Sequence, residues 1–106
     1  MTITGYRGYV LYKIKASVAS WVRIYCDTAS RTNDANRSEG NDPSPGSGVI
    51  AEVLTTSADQ EVLLTPGVMG FNNDSSPSTN IYLAINNRSG SAAAVTVTLT
   101  VLKIGE

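Results

Sequence analysis

The chain has 106 residues, a formal net charge of −1 and no histidine; 42% of its residues are hydrophobic and only 16% are charged. This length fits one domain with its own core, and the near-neutral charge argues against a protein that binds nucleic acid by neutralising phosphates. The lack of histidine excludes Ser-His and Cys-His nucleophiles, histidine acid–base catalysis and the usual zinc sites.

Few sequence features bear on localisation. No apolar stretch approaches the ~18–20 residues that span a bilayer, and the N-terminal sequence MTITGYRGY lacks the charged-then-apolar order of a secretion signal. The single cysteine, Cys26, cannot form an internal disulfide and lies in an apolar run, so it is predicted to be a buried packing residue. We expect assembly in a reducing cytoplasm and no membrane partner.

The first predicted strand covers residues 8–17, where the side chains alternate with a period of two. The face predicted to be buried carries Val10, Tyr12, Ile14 and Ala16. The opposite face, with Leu11, Lys13 and Lys15, is predicted to face water.

A second predicted strand covers residues 21–27. The core-facing side chains are predicted to be Val22, Ile24 and Cys26. The other face carries Trp21, Arg23 and Tyr25, a composition typical of a contact patch for a partner protein or a sugar. Packing within the domain explains the same side chains equally well.

Residues 28–48 contain no aliphatic side chain larger than alanine and end in the sequence DPSPGSG. They are predicted to form one long surface loop that contributes little to folding, because they bury too little apolar surface. A connection this long is usually functional, so the loop is a candidate site for a partner. The candidate contact residues in it are Arg31, Asn33, Asp34, Arg37, Glu39 and Asp42.

Three carboxylates of this loop, those of Asp34, Glu39 and Asp42, could supply oxygen ligands to Ca²⁺. Their spacing matches no EF-hand or repeat-toxin loop, so solvated carboxylates are the favoured interpretation and no cofactor is predicted. Most carboxylates of the chain lie in polar loops rather than in an apolar pocket that could raise a pKa. No enzymatic activity is therefore expected.

Residues 49–55 and 60–65 are predicted to be two strands joined as a hairpin by the polar turn between them. Pro66 and Gly67 end the second strand. Phe71 is predicted to anchor a short strand or corner beyond it.

A second hairpin is predicted between residues 79–86 and 92–104. The first of these strands is expected to bury Ile81, Leu83 and Ile85. The second has a strict period of two, with valine and leucine on one face and threonine on the other. Because it exceeds the usual strand of ~5–6 residues, it is expected to bend or to pair with more than one neighbour, and to reach a subunit contact.

About seven strands and no helical periodicity predict an all-β fold. The expected architecture is one antiparallel β-sandwich over residues 1–106, of the jelly-roll or immunoglobulin-like kind. No internal repeat and no linker divide the chain.

Several segments carry a family resemblance: GYVLYKI, SRTNDANR, DPSPGSGVIAEV, PGVMGFNN and VTVTLTVLKI, in that order. Together they resemble small virion structural modules of tailed bacteriophages, including cyanophages, which occur alone or inside larger structural proteins. The resemblance covers nearly the whole chain. It implies a structural role in the particle with no catalytic residues, and leaves open capsid, neck, baseplate or fibre.

The predicted function is that of a non-enzymatic structural protein of the phage virion. It is expected to be a homotrimer that binds other virion proteins, as a decoration or cement protein on the capsid or as an accessory tail protein. The alternative is a receptor- or carbohydrate-binding module of a tail fibre or baseplate, which would bind a surface glycan with its Tyr and Trp rings and with loop Asn and Asp side chains. No nucleic acid partner is predicted.

Overall fold

The computed structural model describes residues 8–39, 41, 43, 46–74 and 80–105. Strands dominate these residues, which also contain one short helix. The elements are β1 Gly8–Ala16, β2 Ser20–Tyr25, α1 Thr28–Asn33, β3 Val49–Leu54, β4 Gln60–Phe71, β5 Tyr82–Asn87 and β6 Val97–Gly105. Asn80 adds an isolated bridge. The predicted all-β fold is confirmed.

The strands form two three-stranded antiparallel sheets, with the orders β4-β1-β6 and β3-β2-β5. The chain changes sheet at four of the five connections between strands, and only β2 and β3 are consecutive neighbours in one sheet. In a jelly roll of eight strands lettered in chain order, the two sheets run B-I-D-G and C-H-E-F. Strands β1 to β6 match D to I, so the described residues have jelly-roll order without counterparts of the first two strands.

Both predicted hairpins are wrong, because β3 and β4 lie in different sheets, as do β5 and β6. The backbones of both crossing loops bond to the corner between β1 and β2. Thr55 donates its N–H to the Ser20 carbonyl (2.8 Å), and Arg88 donates its N–H to the Ala19 carbonyl (2.8 Å). Turn residues mark where the chain reverses, whereas these bonds decide which sheet it enters next.

A β-bulge interrupts β1 at Tyr12. Leu11 and Lys13 pair with Val101 and Thr100, which are consecutive on β6, so Tyr12 is an extra residue on β1. One extra residue reverses the alternation of faces beyond it. The first half of β1 therefore buries odd-numbered residues, and the second half buries even-numbered residues.

The bulge corrects the predicted faces of β1. The buried side chains of this strand are Tyr9, Leu11, Ile14 and Ala16. The prediction holds for Ile14 and Ala16 but is wrong before the bulge. There Leu11 is fully buried, whereas Tyr12 is 42% exposed and Val10 shares its outward direction.

The core lies between the sheets, and the central strands β1 and β2 supply most of it. Its buried members are Tyr9, Leu11, Ile14, Ala16, Val22, Ile24, Val53 and Ile81. Edge strands are covered on one side only, so Val97, Leu99 and Val101 pack on the core from the predicted face of β6 but remain half-buried. On β5 the predicted inward face is open at its far end, where Ile85 is 40% exposed.

Two strand lengths differ from the prediction. β6 begins at Val97 and, among the described residues, pairs with β1 alone, so the long predicted run is shorter rather than shared between neighbours. β4 continues through Pro66 to Phe71. Its pairing with β1 is interrupted at residues 64–67, opposite the bulge, and resumes at Val68. Phe71 is 48% exposed at the strand end, and the corner beyond it is buried at Asn72 instead.

Helix α1 begins the segment that was predicted to be one surface loop. Asp27 caps it, since its Oδ1 accepts the N–H of Ser30 (2.7 Å). Asp74 accepts the N–H of Thr28 (3.1 Å) and the hydroxyl of Tyr82 (2.6 Å), which joins the helix to β5. Six residues are too few for helical periodicity to appear in the sequence, so the capping aspartate was the only signal.

Gly48 closes this segment against α1, and its replacement is expected to be costly. Its φ is +83°, and a Cβ there would overlap Ser30 and lie 3.2 Å from Cys26 Sγ. Gly48→Ala should destabilise the protein by more than ~1 kcal/mol, because backbone strain adds to the overlap. Gly46→Ala is the matched control, since its φ is +76° but its Cβ would have nothing within 4 Å. Equal melting temperatures for the two variants would contradict this prediction.

Candidate contact surfaces

Trp21, Arg23 and Tyr25 lie side by side on the outer face of sheet β3-β2-β5 and are only 3%, 4% and 1% exposed. The segment after α1 folds back over them. The sequence had left a contact patch and internal packing as alternatives. In the folded protomer these three side chains pack internally, so this face is a second, polar layer rather than an open surface.

Arg37 is the centre of this covering layer. Its Nε donates to Asp34 Oδ1 (2.9 Å), and its Nη1 donates to Glu52 Oε1 (2.9 Å) and to the Asn41 carbonyl (2.6 Å). The guanidinium lies 5.3 Å from the ring centroid of Trp21. The side chains of Arg37 and Asp34 are 10% and 9% exposed, so this ion pair is largely removed from water.

Arg23 approaches the same indole ring from its own strand. Its guanidinium is 4.0 Å from the Trp21 centroid, and its Nη2 donates to Asn86 Oδ1 (2.6 Å). Its Nε and Nη1 are buried without a hydrogen-bond partner among the described residues. Trp21 Nε1 donates to Glu52 Oε1 (2.5 Å), so one indole ring connects two guanidinium groups and a carboxylate.

These contacts shift two protonation equilibria. The hydrogen bond from Arg37 holds the pKa of Asp34 below its ordinary value of 3.8, and the hydroxyl of Tyr25 contributes in the same direction. Burial raises the pKa of Tyr25 to about 12, reinforced by its bond to Asp34. At neutral pH the layer therefore contains an ionised Asp34 that accepts from a neutral phenol and a guanidinium.

Stability is expected to fall in acid because of Asp34. Its pKa is lower in the folded than in the unfolded chain, so its contribution is fully present above the unfolded pKa and is lost as pH falls through the folded pKa. Asp34→Asn should melt below the native chain at neutral pH, and the difference should shrink as the pH falls below 3.8. Thermal unfolding at a series of pH values measures it. A difference independent of pH would contradict the assignment.

A cavity of about 480 Å³ opens beside this layer. Its lining residues are Ser30, Asn33, Asp34, Asn36, Arg37, Gly46 and Ser47. The two charged members form an ion pair with each other, which leaves amide and hydroxyl groups to meet a ligand. Such a lining suits an uncharged polar molecule better than an ion.

The other candidate residues of the segment are dispersed. Arg31 lies with its guanidinium 5.1 Å from the ring centroid of Tyr82, and Glu39 accepts from Arg88 Nε (2.7 Å). Asn33 is exposed at the cavity. Asp42 lies outside the described residues. The six candidates therefore do not form one contact surface in the part of the chain that can be described.

Two of the three carboxylates considered for Ca²⁺ have other partners. Asp34 accepts from Arg37 and Tyr25, and Glu39 pairs with Arg88. Within the described ranges, no group of three or more His, Cys, Asp or Glu side chains is arranged to hold a metal ion. In the same residues, no helix is long and apolar enough to cross a membrane.

The outer face of sheet β4-β1-β6 is the largest exposed apolar feature among the described residues. We call this surface the apolar face; its residues are Val10, Tyr12, Leu63, Met69, Phe71 and Leu102. Five of them are between 42% and 64% exposed, and Val10 is half-buried. Val10 pairs with Met69 on one side and Leu102 on the other, so an apolar row crosses all three strands.

The apolar face has a charged end. Lys13 pairs with Leu63 and Thr100 in the next row, and Lys15 pairs with Glu61 and Thr98 beyond it. Sequence reasoning missed this face, although a signal was present. The runs Leu63–Leu64, Val68–Met69 and Val101–Leu102 place apolar residues on both faces of a strand, which a sheet with one wet face does not need.

Comparison of the chain with protein-family models, with curated proteins and with solved structures finds no match.

Proposed function

We propose that this protein is a non-enzymatic structural component of a tailed-phage particle, which self-associates through its apolar face and binds the capsid or tail as a decorating or accessory unit. The observation that carries the proposal is that face, with five large apolar side chains at least 42% exposed. Large apolar side chains that are exposed together in one patch with a polar rim are typical of an interaction site.

The segments that resemble phage structural modules support the same role. GYVLYKI lies in β1, PGVMGFNN begins in the second half of β4, and VTVTLTVLKI leads into and forms most of β6. These are the three strands of the sheet that carries the apolar face. Three of the five segments therefore lie in this sheet, whereas SRTNDANR begins in α1 and DPSPGSGVIAEV ends in β3 of the other sheet.

The proposal is tested on purified particles of the phage that encodes the chain. Quantitative mass spectrometry is expected to find the protein at a fixed copy number, and labelling of a tagged chain should place it on the shell or on the tail. The control is a soluble phage enzyme of similar abundance, which should be lost on purification. Loss of the protein to the same degree as this control would refute a role in the virion.

A glycan-binding module is the second candidate, favoured by the cavity beside α1. The amide and hydroxyl groups of its lining are of the kind that hydrogen-bond sugar hydroxyls. A glycan array with the full chain should then give binding that Asn33→Ala reduces and that Asn73→Ala, an exposed asparagine outside the cavity, leaves unchanged. Absence of binding to every glycan would remove this candidate.

A further inference from the structure

The apolar face requires a partner of matching size and chemistry. The identity of that partner is inferred on the basis of the proposed structural role. The outer face of the other sheet cannot serve as that partner, since its middle strand is buried under the segment that contains Arg37 and Asp34. Among the described surfaces, the apolar face of another copy is the best match.

The width of the sheet bears on how many copies can meet. The outer strands of a three-stranded sheet lie ~9.6 Å apart, and ~4.8 Å between the edge strands of neighbouring copies gives a triangular prism whose sides are ~19 Å wide and stand ~5.5 Å from the central axis. Facing sheets pack ~10 Å apart, which places each layer ~5 Å from the middle of the space between them. Three copies would therefore fill the axis with side chains at nearly ordinary packing distance.

The edges of the sheet favour three copies over two. In the described residues β4 and β6 each pair with β1 alone, so both present an open edge. Two faces laid on each other would cover the side chains but leave all four edges open. Around a three-fold axis, β6 of one copy instead lies beside β4 of the next, which shields both edges from water and from unwanted pairing.

A three-fold axis sets the direction of the copies, because the rotation makes all three chains run parallel. If neighbouring chains run parallel, rows at the same height meet, so Leu102 on β6 lies near Met69 on the next copy's β4. The charged rows also meet, and Glu61 of each copy, which pairs with Lys15 of its own chain, offsets part of the charge of the lysines.

We infer that the protein forms a parallel homotrimer in which three apolar faces meet at a three-fold axis, with β6 of each copy beside β4 of the next. The first test is light scattering on the full chain at micromolar concentration. The expected mass is three times the 11.2 kDa of the protomer. Leu102→Lys should raise the concentration of half-dissociation at least tenfold. Leu54→Lys is the matched control, because Leu54 is 45% exposed on the other sheet, and it should remain trimeric.

Disulfide trapping tests the geometry. In a Cys26→Ser background, Met69→Cys and Leu102→Cys lie two strands apart in one chain, ~9.6 Å, beyond the ~7 Å reach of a disulfide. Oxidation should therefore link different chains and give a three-chain product. A product limited to two chains, or a dimeric mass, would overturn the three-fold arrangement. A monomer at every concentration would also overturn it, and oligomerisation on deletion of residues 2–7 would then assign the face to that segment.

The two proposals fail separately. A dimer or monomer found at fixed copy number in particles refutes the trimer but supports the virion role. A trimer that is absent from particles supports the interface and refutes that role.

Discussion

Arg37→Ala is expected to destabilise the protein by about 3–5 kcal/mol, the usual cost of removing one partner from a buried ion pair. The change leaves the carboxylates of Asp34 and Glu52 without their guanidinium in a site where Asp34 is 9% exposed. It also removes the stem that shields the ring of Trp21. Since small domains have total stabilities of ~5–15 kcal/mol, the loss is a large fraction of the whole.

Urea unfolding followed by tryptophan fluorescence measures this loss, because Trp21 is the only tryptophan in the chain. The folded variant should also show red-shifted emission, as water reaches the indole ring. Arg31→Ala is the matched control from the same segment: its guanidinium contacts the Tyr82 ring at 5.1 Å, which is worth about 1 kcal/mol or less. Equal losses for the two arginines would show that the ion pairs add no stability.

This prediction revises the role of residues 28–48. The sequence predicted a surface loop with little part in folding, on the ground that it lacks large apolar side chains. The structure instead has α1 in this segment and buries Asp34 and Arg37 over a sheet face. Charge-assisted hydrogen bonds and the arginine stem can cover apolar and aromatic surface without any aliphatic residue. Shortening the segment is therefore expected to unfold the protein rather than only to weaken binding.

Ile24→Ala is expected to cost about 2–5 kcal/mol, through lost apolar contact and the cavity left behind. Ile24 is 0% exposed on the central strand β2, where neighbouring strands on both sides and the opposite sheet prevent the site from collapsing. Denaturant unfolding should show a lower midpoint with an unchanged slope, since the folded and unfolded states keep their overall exposure.

Ile85→Ala is the matched control for this core substitution. Ile85 lies on the neighbouring strand of the same sheet but is 40% exposed, so its loss should fall below that range. A cost at Ile85 equal to that at Ile24 would mean that the edge of the sheet is packed as tightly as its centre, for example by another copy.

The candidate sites show where sequence patterns stop being informative. Alternation placed Trp21, Arg23 and Tyr25 on one face of β2, and they do share that face. It could not show whether the face was open, because the cover comes from residues about ten to thirty positions away. The apolar face was missed for a related reason: Val10, Met69 and Leu102 form one row only after three distant strands have paired.

The sequence by itself determined the fold class, the positions of four of the six strands to within a few residues, and the core faces of β2 and β6. Period-two alternation of β-branched and aromatic residues is a local property, so it is readable without the fold. Only the tertiary structure decided the bulge at Tyr12, the crossing of the chain between sheets at four connections, and the burial of Asp34 and Arg37. Each of these depends on hydrogen bonds or ion pairs with residues outside the local segment, as between Arg37 and Glu52. A one-residue bulge reverses the buried face of a strand, and a turn can lead the chain into either sheet. The local pattern is therefore compatible with several folds, and the residues that bond across the structure determine which fold forms.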